Sequence, residues 1–488
     1  MKLTLTLLFG AILLQASAQQ TTDNKWDLQR CVDYAMKNNI SVKQADVQAR
    51  LAALQVKQAK WYQYPTAAFN TGLGGQFGRS IDRTTNVYSD IQAIYQNFQV
   101  TSNTQLYNFG RLKANVEFNQ LSALAALADV EKAANDASLN VCVYYLQVLS
   151  SKEQIEIAHV QIEQSRAQLE ITRKQVNAGS LPELNLVELE AQLANDSSTY
   201  ISAQGTYDQN VLTLKATLNL DAAAPFEVDT PPVDKIPLLP FAELQPEVVY
   251  QLALVTQPLQ KGNDLRIKAA DKSIKMNKAQ LYPTLGLGVS LTSNFYSAFK
   301  NIDVNNISVT GYQPNGSVVN VGGTNYLVQD PVLNYPSYRK SFSQLWDGWG
   351  TQLSNNFGQG VGLSLSVPIF NNGQYRISYE QSKLNYKTAL LNKEQADLTL
   401  KNNIYTAYSN AITSLQKFYA GRKNVESNQK AYDFAFKRYG IGLLGTIDLI
   451  TNQNNLLKAK LQQVSNQYDY VFKMKLLEFY RGQGLKLQ

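Results

Sequence analysis

The sequence is poor in the residues that build most catalytic and metal sites. It has one histidine, His159, and two cysteines, Cys31 and Cys142, among 488 residues. A single histidine excludes a multi-histidine metal centre, and two cysteines are too few for a zinc knuckle or a disulfide framework. We find no cluster of titratable groups at loop ends, so we expect neither an enzyme nor a bound cofactor or metal.

Charge and long apolar runs are scarce as well. Charged residues make up 17% of the chain, against about 25% in an average soluble domain. Lys and Arg outnumber Asp and Glu by 45 to 38, but they are scattered, so nucleic acid is not an expected partner. After the first residues, no uncharged apolar run has the ~18 residues that a membrane helix needs. If the chain enters a membrane, it must do so as β-structure.

The first eighteen residues have the pattern of a secretory signal peptide. Lys2 precedes an apolar run from Leu3 to Leu14, and the small residues Ala16-Ser17-Ala18 follow. A charged start, a short apolar segment and an A-x-A cleavage site are the parts of a removable leader. The alternative is a buried first helix. We predict that residues 1–18 are a leader and that the protein is exported.

The rest of the chain contains an internal duplication. Tyr64-Pro65-Thr66 recurs as Tyr282-Pro283-Thr284, and Gly179 recurs as Gly442. These matches predict a first structural repeat over 19–220 and a second over 247–488. A proline-rich connector, 221–246, separates the two and is expected to be extended rather than helical.

Each repeat contains a long segment with an apolar residue at every seventh position. We predict helical hairpins over 111–219 and 374–480. The heptad positions of their outgoing helices are Leu127, Ala134, Val141, Val148, Ile155, Ile162, Leu169 and Val176, then Ile377, Leu384, Leu391, Leu398, Tyr405, Ile412 and Tyr419. A sustained heptad repeat indicates left-handed coiled-coil packing, with an ordinary helical bundle as the alternative. About 66 helical residues reach about 100 Å.

Four segments alternate apolar with small polar residues: 66–78, 96–107, 284–295 and 360–370. This pattern is typical of tilted transmembrane strands, although a soluble half-buried sheet would also show it. The residues predicted to face lipid are Phe69, Leu73, Leu285, Leu287, Val289, Leu291, Leu363, Leu365 and Val367. Four strands cannot close a barrel and lipid does not tolerate open edges, so the chain must oligomerise. Residues 296–359 are expected to form an extracellular loop.

Taken together, these features resemble the TolC-like outer membrane efflux proteins. The resemblance rests on the two helix-Tyr-Pro-strand junctions, on the strand-to-helix segment from Val367 to Arg376, and on the duplicated hairpin tips. It implies an α+β membrane protein and a homotrimer. Four strands per chain would give a 12-stranded β-barrel in outer membrane lipid, continuous with a long α-helical coiled-coil tunnel in the periplasm of a Gram-negative cell.

The resemblance also implies a function. The trimer would be the exit duct of a tripartite efflux or type I secretion system. It would passively conduct substrates from an inner-membrane transporter of RND, ABC or MFS type through a periplasmic adaptor (membrane fusion) protein. The alternative is a structural or adhesin-like trimeric coiled-coil surface protein, which should lack a polar lumen face on its strands.

The resemblance places a gate at the hairpin tips. The candidate residues are Asp448, Tyr439, Gly442, Arg438, Gly179 and Asn185. Leu444 stands where well-known members have Arg, Thr451 where a second Asp occurs, and Asn185 where the first copy has Asp. We therefore expect a different network to close this tip. Ser180 and Glu183 have the spacing of a capping box at the start of the first return helix.

Overall fold

The computed structural model describes residues 25–81, 88–230 and 236–482. The predicted signal peptide, 1–18, lies outside these residues. The elements of the first repeat are β1 (Lys25–Trp26), α1 (Leu28–Asn38), α2 (Ile40–Trp61), β2 (Thr66–Ile81), β3 (Tyr88–Tyr107), α3 (Arg111–Asn177) and α4 (Glu183–Leu218).

The second repeat has the same order of elements with one insertion. Its elements, with the short strand that precedes them, are β4 (Glu227–Val228), α5 (Pro246–Thr256), α6 (Pro258–Ala279), β5 (Thr284–Ala298), β6 (Lys300–Ile302), β7 (Ser308–Val321), β8 (Thr324–Asn334), β9 (Ser337–Arg339), α7 (Trp349–Asn355), β10 (Gly358–Ser366), α8 (Gln374–Gly440) and α9 (Thr446–Tyr480). None of the described helices is both long enough and apolar enough to cross a membrane.

The internal duplication is confirmed by the backbone turns that join these elements. Each turn of the first repeat has left-handed residues that recur 263 positions later. The pairs, with φ in degrees, are Phe109 (50) and Asn372 (54), Gly110 (75) and Gly373 (75), Gly179 (73) and Gly442 (76), and Asn219 (59) and Gly482 (93). Such residues pair the last carbonyl groups of a helix and redirect the chain. The two repeats therefore start and stop their long helices in the same way.

Contacts divide the chain into two units, and the first is helical. Among the described residues it contains 25–56, 117–230, 236–274 and 381–482. Its main apolar cluster brings together side chains of α1, α3, α4 and α9. Within it, the Tyr145 hydroxyl donates to the carbonyl oxygen of Asp229 at 2.7 Å and lies 3.3 Å from that of Trp26. This contact fixes the parallel pair of β1 and β4 on α3. Cys31 and Cys142 are both buried in this cluster and free.

Two buried lysines hold the connector to the helices. Lys215 of α4 donates to the carbonyl oxygens of Ala222 and Ala224. Lys475 of α9 donates to the carbonyl oxygen of Pro237 at 2.7 Å and pairs with Glu478 at 2.8 Å. The other carboxylate oxygen of Glu478 accepts the backbone N–H of Leu239. These lysine contacts add to the few backbone hydrogen bonds of the described part of the connector, such as Ala224 N–H to Asp221 and Asp229 N–H to Trp26.

The two heptad stripes have different surroundings within one chain. In α3, Val141 and Val148 are fully buried. In α8, Leu384 and Leu391 remain 64% and 55% exposed, and every other heptad position from Ile377 to Tyr419 is also exposed. The heptad stripe of α3 is therefore mostly buried within the chain, although Leu127 is 52% exposed, whereas the stripe of α8 is left open.

The second unit, described over 57–81, 88–116 and 275–380, is built on a four-stranded antiparallel sheet with strand order β10-β5-β3-β2. β3 begins eight residues before the predicted position 96, because its pairing with β2 continues where the apolar alternation has already faded. β10 ends at Ser366, two residues before Pro368, which has no N–H to donate. The segment 296–359 is not an irregular loop, because β6 pairs with β9, β7 pairs with β8, and α7 follows.

Candidate functional site

The sheet has two chemically different faces. Pairing across the strands places Phe69 beside Val100, and Val100 beside Leu291. It also places Leu287 beside Leu363. Because paired residues of neighbouring strands point to the same side of a sheet, all the predicted lipid-facing residues within the strands share one face. Val367 lies just beyond the end of β10. That this face contacts lipid stays a prediction.

The opposite face carries small and polar side chains. Gly288 lies between Asn103 and Gly362, and Ser290 lies between Thr101 and Gly360. A concavity of about 880 Å³ opens on this side near the helical ends of the strands. It is lined by residues that include Thr66, Asn103, Gln105, Arg111, Thr284, Gly286, Ser364 and Ser366. Such a surface offers hydrogen-bonding groups on small side chains. It therefore suits a water-filled passage more than a packed core.

Each long helical hairpin turns at a tip with the same backbone hydrogen bonds. At the first tip the N–H of Gly179 donates to Val176, and the N–H of Ser180 donates to Gln175. At the second tip Gly442 and the residue after it repeat both bonds, 263 positions later. The positive φ of both glycines is the conformation that this Schellman-type turn requires.

The predicted tip residues occupy different environments. Asp448 is exposed in the first turn of α9. Arg438 is also exposed, and its guanidinium donates to the carbonyl oxygen of Leu443 at 3.3 Å. Tyr439 is buried, and its hydroxyl lies 3.1 Å from that of Thr172 on α3. Tyr439 thus joins α8 to α3 instead of facing outward.

The first tip differs from the predicted capping arrangement. The Ser180 hydroxyl donates back to the carbonyl oxygen of Gln175, and Pro182 is the N-cap without any side-chain capping bond. The predicted capping box of Ser180 and Glu183 is therefore wrong. The Schellman turn already holds Ser180 against the preceding helix, so its side chain cannot reach the next helix. Asn185, half-buried, donates its backbone N–H to Pro182.

A buried polar network lies between α3, α4 and α9. Asp196 is 2% exposed and accepts from the Ser165 hydroxyl at 2.5 Å, and from the amides of Gln192 at 2.8 Å and Gln161 at 3.4 Å. The Ser165 oxygen accepts from the Gln453 amide at 2.8 Å. Burial raises the pKa of the Asp196 carboxyl, and the three hydrogen bonds oppose that rise.

The network continues on its outer side. The amide groups of Gln192 and Asn454 bond each other in both directions, at 2.9 and 3.2 Å. Sequence reasoning missed the whole network, because Gln, Ser and Asn at these spacings are typical of a solvent-exposed helix surface. The one signal was an acidic residue, Asp196, three positions after Leu193 and four before Tyr200, both of which belong to the heptad repeat of the return helix.

The fold and the two faces of the sheet define a class of protein: a duplicated chain in which strands of a two-faced sheet alternate with long helical hairpins. A profile described as "Outer membrane efflux protein" matches residues 31–220 and 336–481, more than half of the chain. The chain belongs to the outer membrane efflux protein family.

Individual relatives agree with this membership at low identity. The outer membrane protein TolC of Escherichia coli K12 is 24% identical over 309 residues, which span 55% of this chain and 62% of TolC. The outer membrane efflux protein BepC of Brucella suis is 21% identical over 95% of this chain and 86% of BepC. The crystal structure of CusC superposes with a TM-score of 0.72 at 16% identity, covering 95% of this chain and 93% of CusC.

Proposed function

We propose that three copies of the chain form an outer membrane exit duct of a tripartite efflux or type I secretion system. The observation that carries this proposal is the four-stranded sheet, with one apolar face, one small polar face and two edges, β2 and β10, that pair with no further strand among the described residues. In lipid every backbone polar group needs a partner. The edge β2 of one copy would therefore pair with β10 of the next, and the family resemblance selects three copies.

The open apolar stripe of α8 supports the same assembly. Seven apolar heptad residues remain exposed in a single chain, Ile377, Leu384, Leu391, Leu398, Tyr405, Ile412 and Tyr419. A continuous exposed apolar stripe of this length is unusual in a monomer and marks a protein interface. A neighbouring copy would cover it and continue the coiled-coil packing around the tunnel.

Transport through such a duct is passive. The inner-membrane transporter would supply the energy, and the periplasmic adaptor would join it to the periplasmic end of the duct. The polar face of the sheet would line the outer part of the passage and present hydroxyl and amide groups to a hydrated substrate. Because the transporter supplies the energy and the duct only conducts, the polar residues of this chain can be mostly uncharged and no catalytic group is needed.

The experiment combines mass and conductance. Protein extracted from outer membranes in mild detergent should have three times the mass of the 54.4 kDa chain, less any cleaved leader, by native mass spectrometry and light scattering. The same preparation should form discrete channels in planar bilayers. A stable monomer in lipid, or trimers that never conduct, would contradict the proposal.

We further propose that Asp448 sets ion selectivity at the periplasmic entrance. It is exposed in the first turn of α9, three residues after the N-cap Gly445. Threefold symmetry would bring three such carboxylates around one axis, where they would attract cations and repel anions. Asp448→Asn should lower the cation preference measured as reversal potential in a salt gradient, while the trimer persists.

The helix dipole offers another role for the same residue, because a carboxylate in a first turn stabilises the helix. The matched control is Glu183→Gln, which removes a first-turn carboxylate at the first tip. If Asp448→Asn lowers thermal stability without changing the reversal potential, Asp448 only stabilises its helix and the selectivity filter lies elsewhere.

A further inference from the structure

The network around Asp196 joins the two repeats of one chain. α3 and α4 belong to the first repeat and α9 to the second. Ser165 bonds both Asp196 of α4 and Gln453 of α9, and Gln192 bonds both Asp196 and Asn454 of α9. Ser165, Gln192, Asp196 and Gln453 are each at most 5% exposed, so the network is a buried polar connection between the repeats.

We propose that these six residues, the Asp196 latch (Gln161, Ser165, Gln192, Asp196, Gln453 and Asn454), hold α9 on the α3–α4 hairpin, and that proton binding to Asp196 tightens this hold. Acid would favour the packed hairpins and alkali their separation. The link to opening of the duct rests on the function proposed above, because α9 also carries Asp448, five residues before Gln453.

Asp196 is poorly compensated as an anion. All its partners are neutral: one hydroxyl and two amides. Among the described residues, no lysine or arginine forms an ion pair with it. A buried carboxylate without a cation loses hydration that neutral donors restore only in part. Separation of α9 would let water reach the carboxylate, so ionisation favours the separated form.

Most charged residues of the surrounding helices lie at the surface; Glu188 of α4, four positions before Gln192, is half-buried. On α3, Glu163 and Arg166 are exposed and pair with each other. On α4, Glu190 is exposed and pairs with Arg173 of α3. On α9, the nearest charged residues in sequence on either side of Gln453, Asp448 and Lys458, are both exposed.

Asp196 is therefore the titrating group of the latch, and the sign of its effect follows from its environment. Burial raises its pKa in the packed form, whereas a hydrated carboxyl titrates near pH 3.9. Between these two pKa values the packed form binds more protons than the separated form. The packed form consequently gains stability as the pH falls through the raised pKa, and the gain is complete below about pH 3.9.

The test is hydrogen–deuterium exchange of the whole trimer in detergent, followed at residues 446–457 and corrected for the intrinsic pH dependence of exchange. In the wild type, protection of this segment should fall as the pH rises from 4 to 8. The opening equilibrium should change about tenfold for each unit by which the two pKa values of Asp196 differ.

Two variants separate the roles within the latch. Asp196→Asn keeps the shape and stays neutral, so the segment should be highly protected at every pH, with no pH response. Gln453→Leu removes the bond from α9 to Ser165, so protection should be low at every pH, again with no response. Asp448→Asn, an exposed carboxylate of the same helix, should keep the response of the wild type.

The outcomes test the Asp196 latch separately from its effect on channel opening. The latch is overturned if exchange in the wild type does not respond to pH, or if the response survives in Asp196→Asn. If Asp196→Asn does not assemble, a response that survives in Gln453→Leu overturns the latch instead. Channel opening recorded in planar bilayers over the same pH range is the second readout. If exchange responds as expected while channel opening does not, the latch stands and the proposed gate at the tip fails.

Discussion

Val289→Arg and Ser290→Arg place the same charge on adjacent residues of β5, on opposite faces of the sheet. Val289 lies between Ser102 and Val361 on the apolar face. Ser290 lies opposite Gly360, which has no side chain, so a long arginine there has room to extend. If the apolar face contacts lipid, an arginine near mid-membrane costs about 2–4 kcal/mol per chain, or about 6–12 kcal/mol in a trimer. The arginine on the polar face stays hydrated and avoids this cost.

The assay compares the two variants in folding and in conductance. Val289→Arg should lower the urea midpoint of trimers refolded into lipid vesicles and reduce the trimer recovered from outer membranes. Ser290→Arg should assemble like the wild type but reduce cation conductance in planar bilayers, because the added charge repels cations. Equal losses for both variants would refute a two-faced membrane sheet, and a greater loss for Ser290→Arg would mean that the faces are reversed.

Two further predictions concern stability. Lys475→Met leaves the Glu478 carboxylate buried without its cation, and we expect a loss of about 3–5 kcal/mol; denaturant unfolding should show a smaller loss in the double variant with Glu478→Gln. Gly442→Ala forces an alanine into the left-handed conformation of the second tip, and should cost about 1–2 kcal/mol. Its control is Gly205→Ala in the middle of α4, where a methyl group meets no atom within 4 Å and should raise the melting temperature.

The duplication and the long hairpins could be predicted because both produce regular patterns in the sequence. Heptads and alternating strands depend on local spacing, and the paired glycines depend on a backbone conformation that few residues adopt. The helix that packs against each heptad stripe could not be predicted in this way. Val148 and Leu391 both lie on heptad stripes, yet one is fully buried and the other 55% exposed, because burial depends on which helix lies opposite.

The insertion between β5 and β10 shows a second limit. Its sequence is rich in Tyr, Asn and Gly, and the register of β7 with β8 shifts after Val309 and after Pro314. Each shift interrupts the alternation that would otherwise predict strands. The Asp196 latch shows a third limit, because buried Gln and Ser cannot be distinguished from exposed ones until the helices that enclose them are known.

The repeated turns also have a consequence for symmetry. Because the hairpin tips of one chain share their backbone geometry, three copies would present six nearly equivalent tips to the periplasm. The insertion β6–β9 occurs only in the second repeat, so the same assembly would carry three copies of it. A partner that recognises the tip backbone would find sixfold pseudosymmetry, whereas a ligand of the insertion would find true threefold symmetry. Stoichiometry alone could then show whether a bound protein occupies the tips or the insertion.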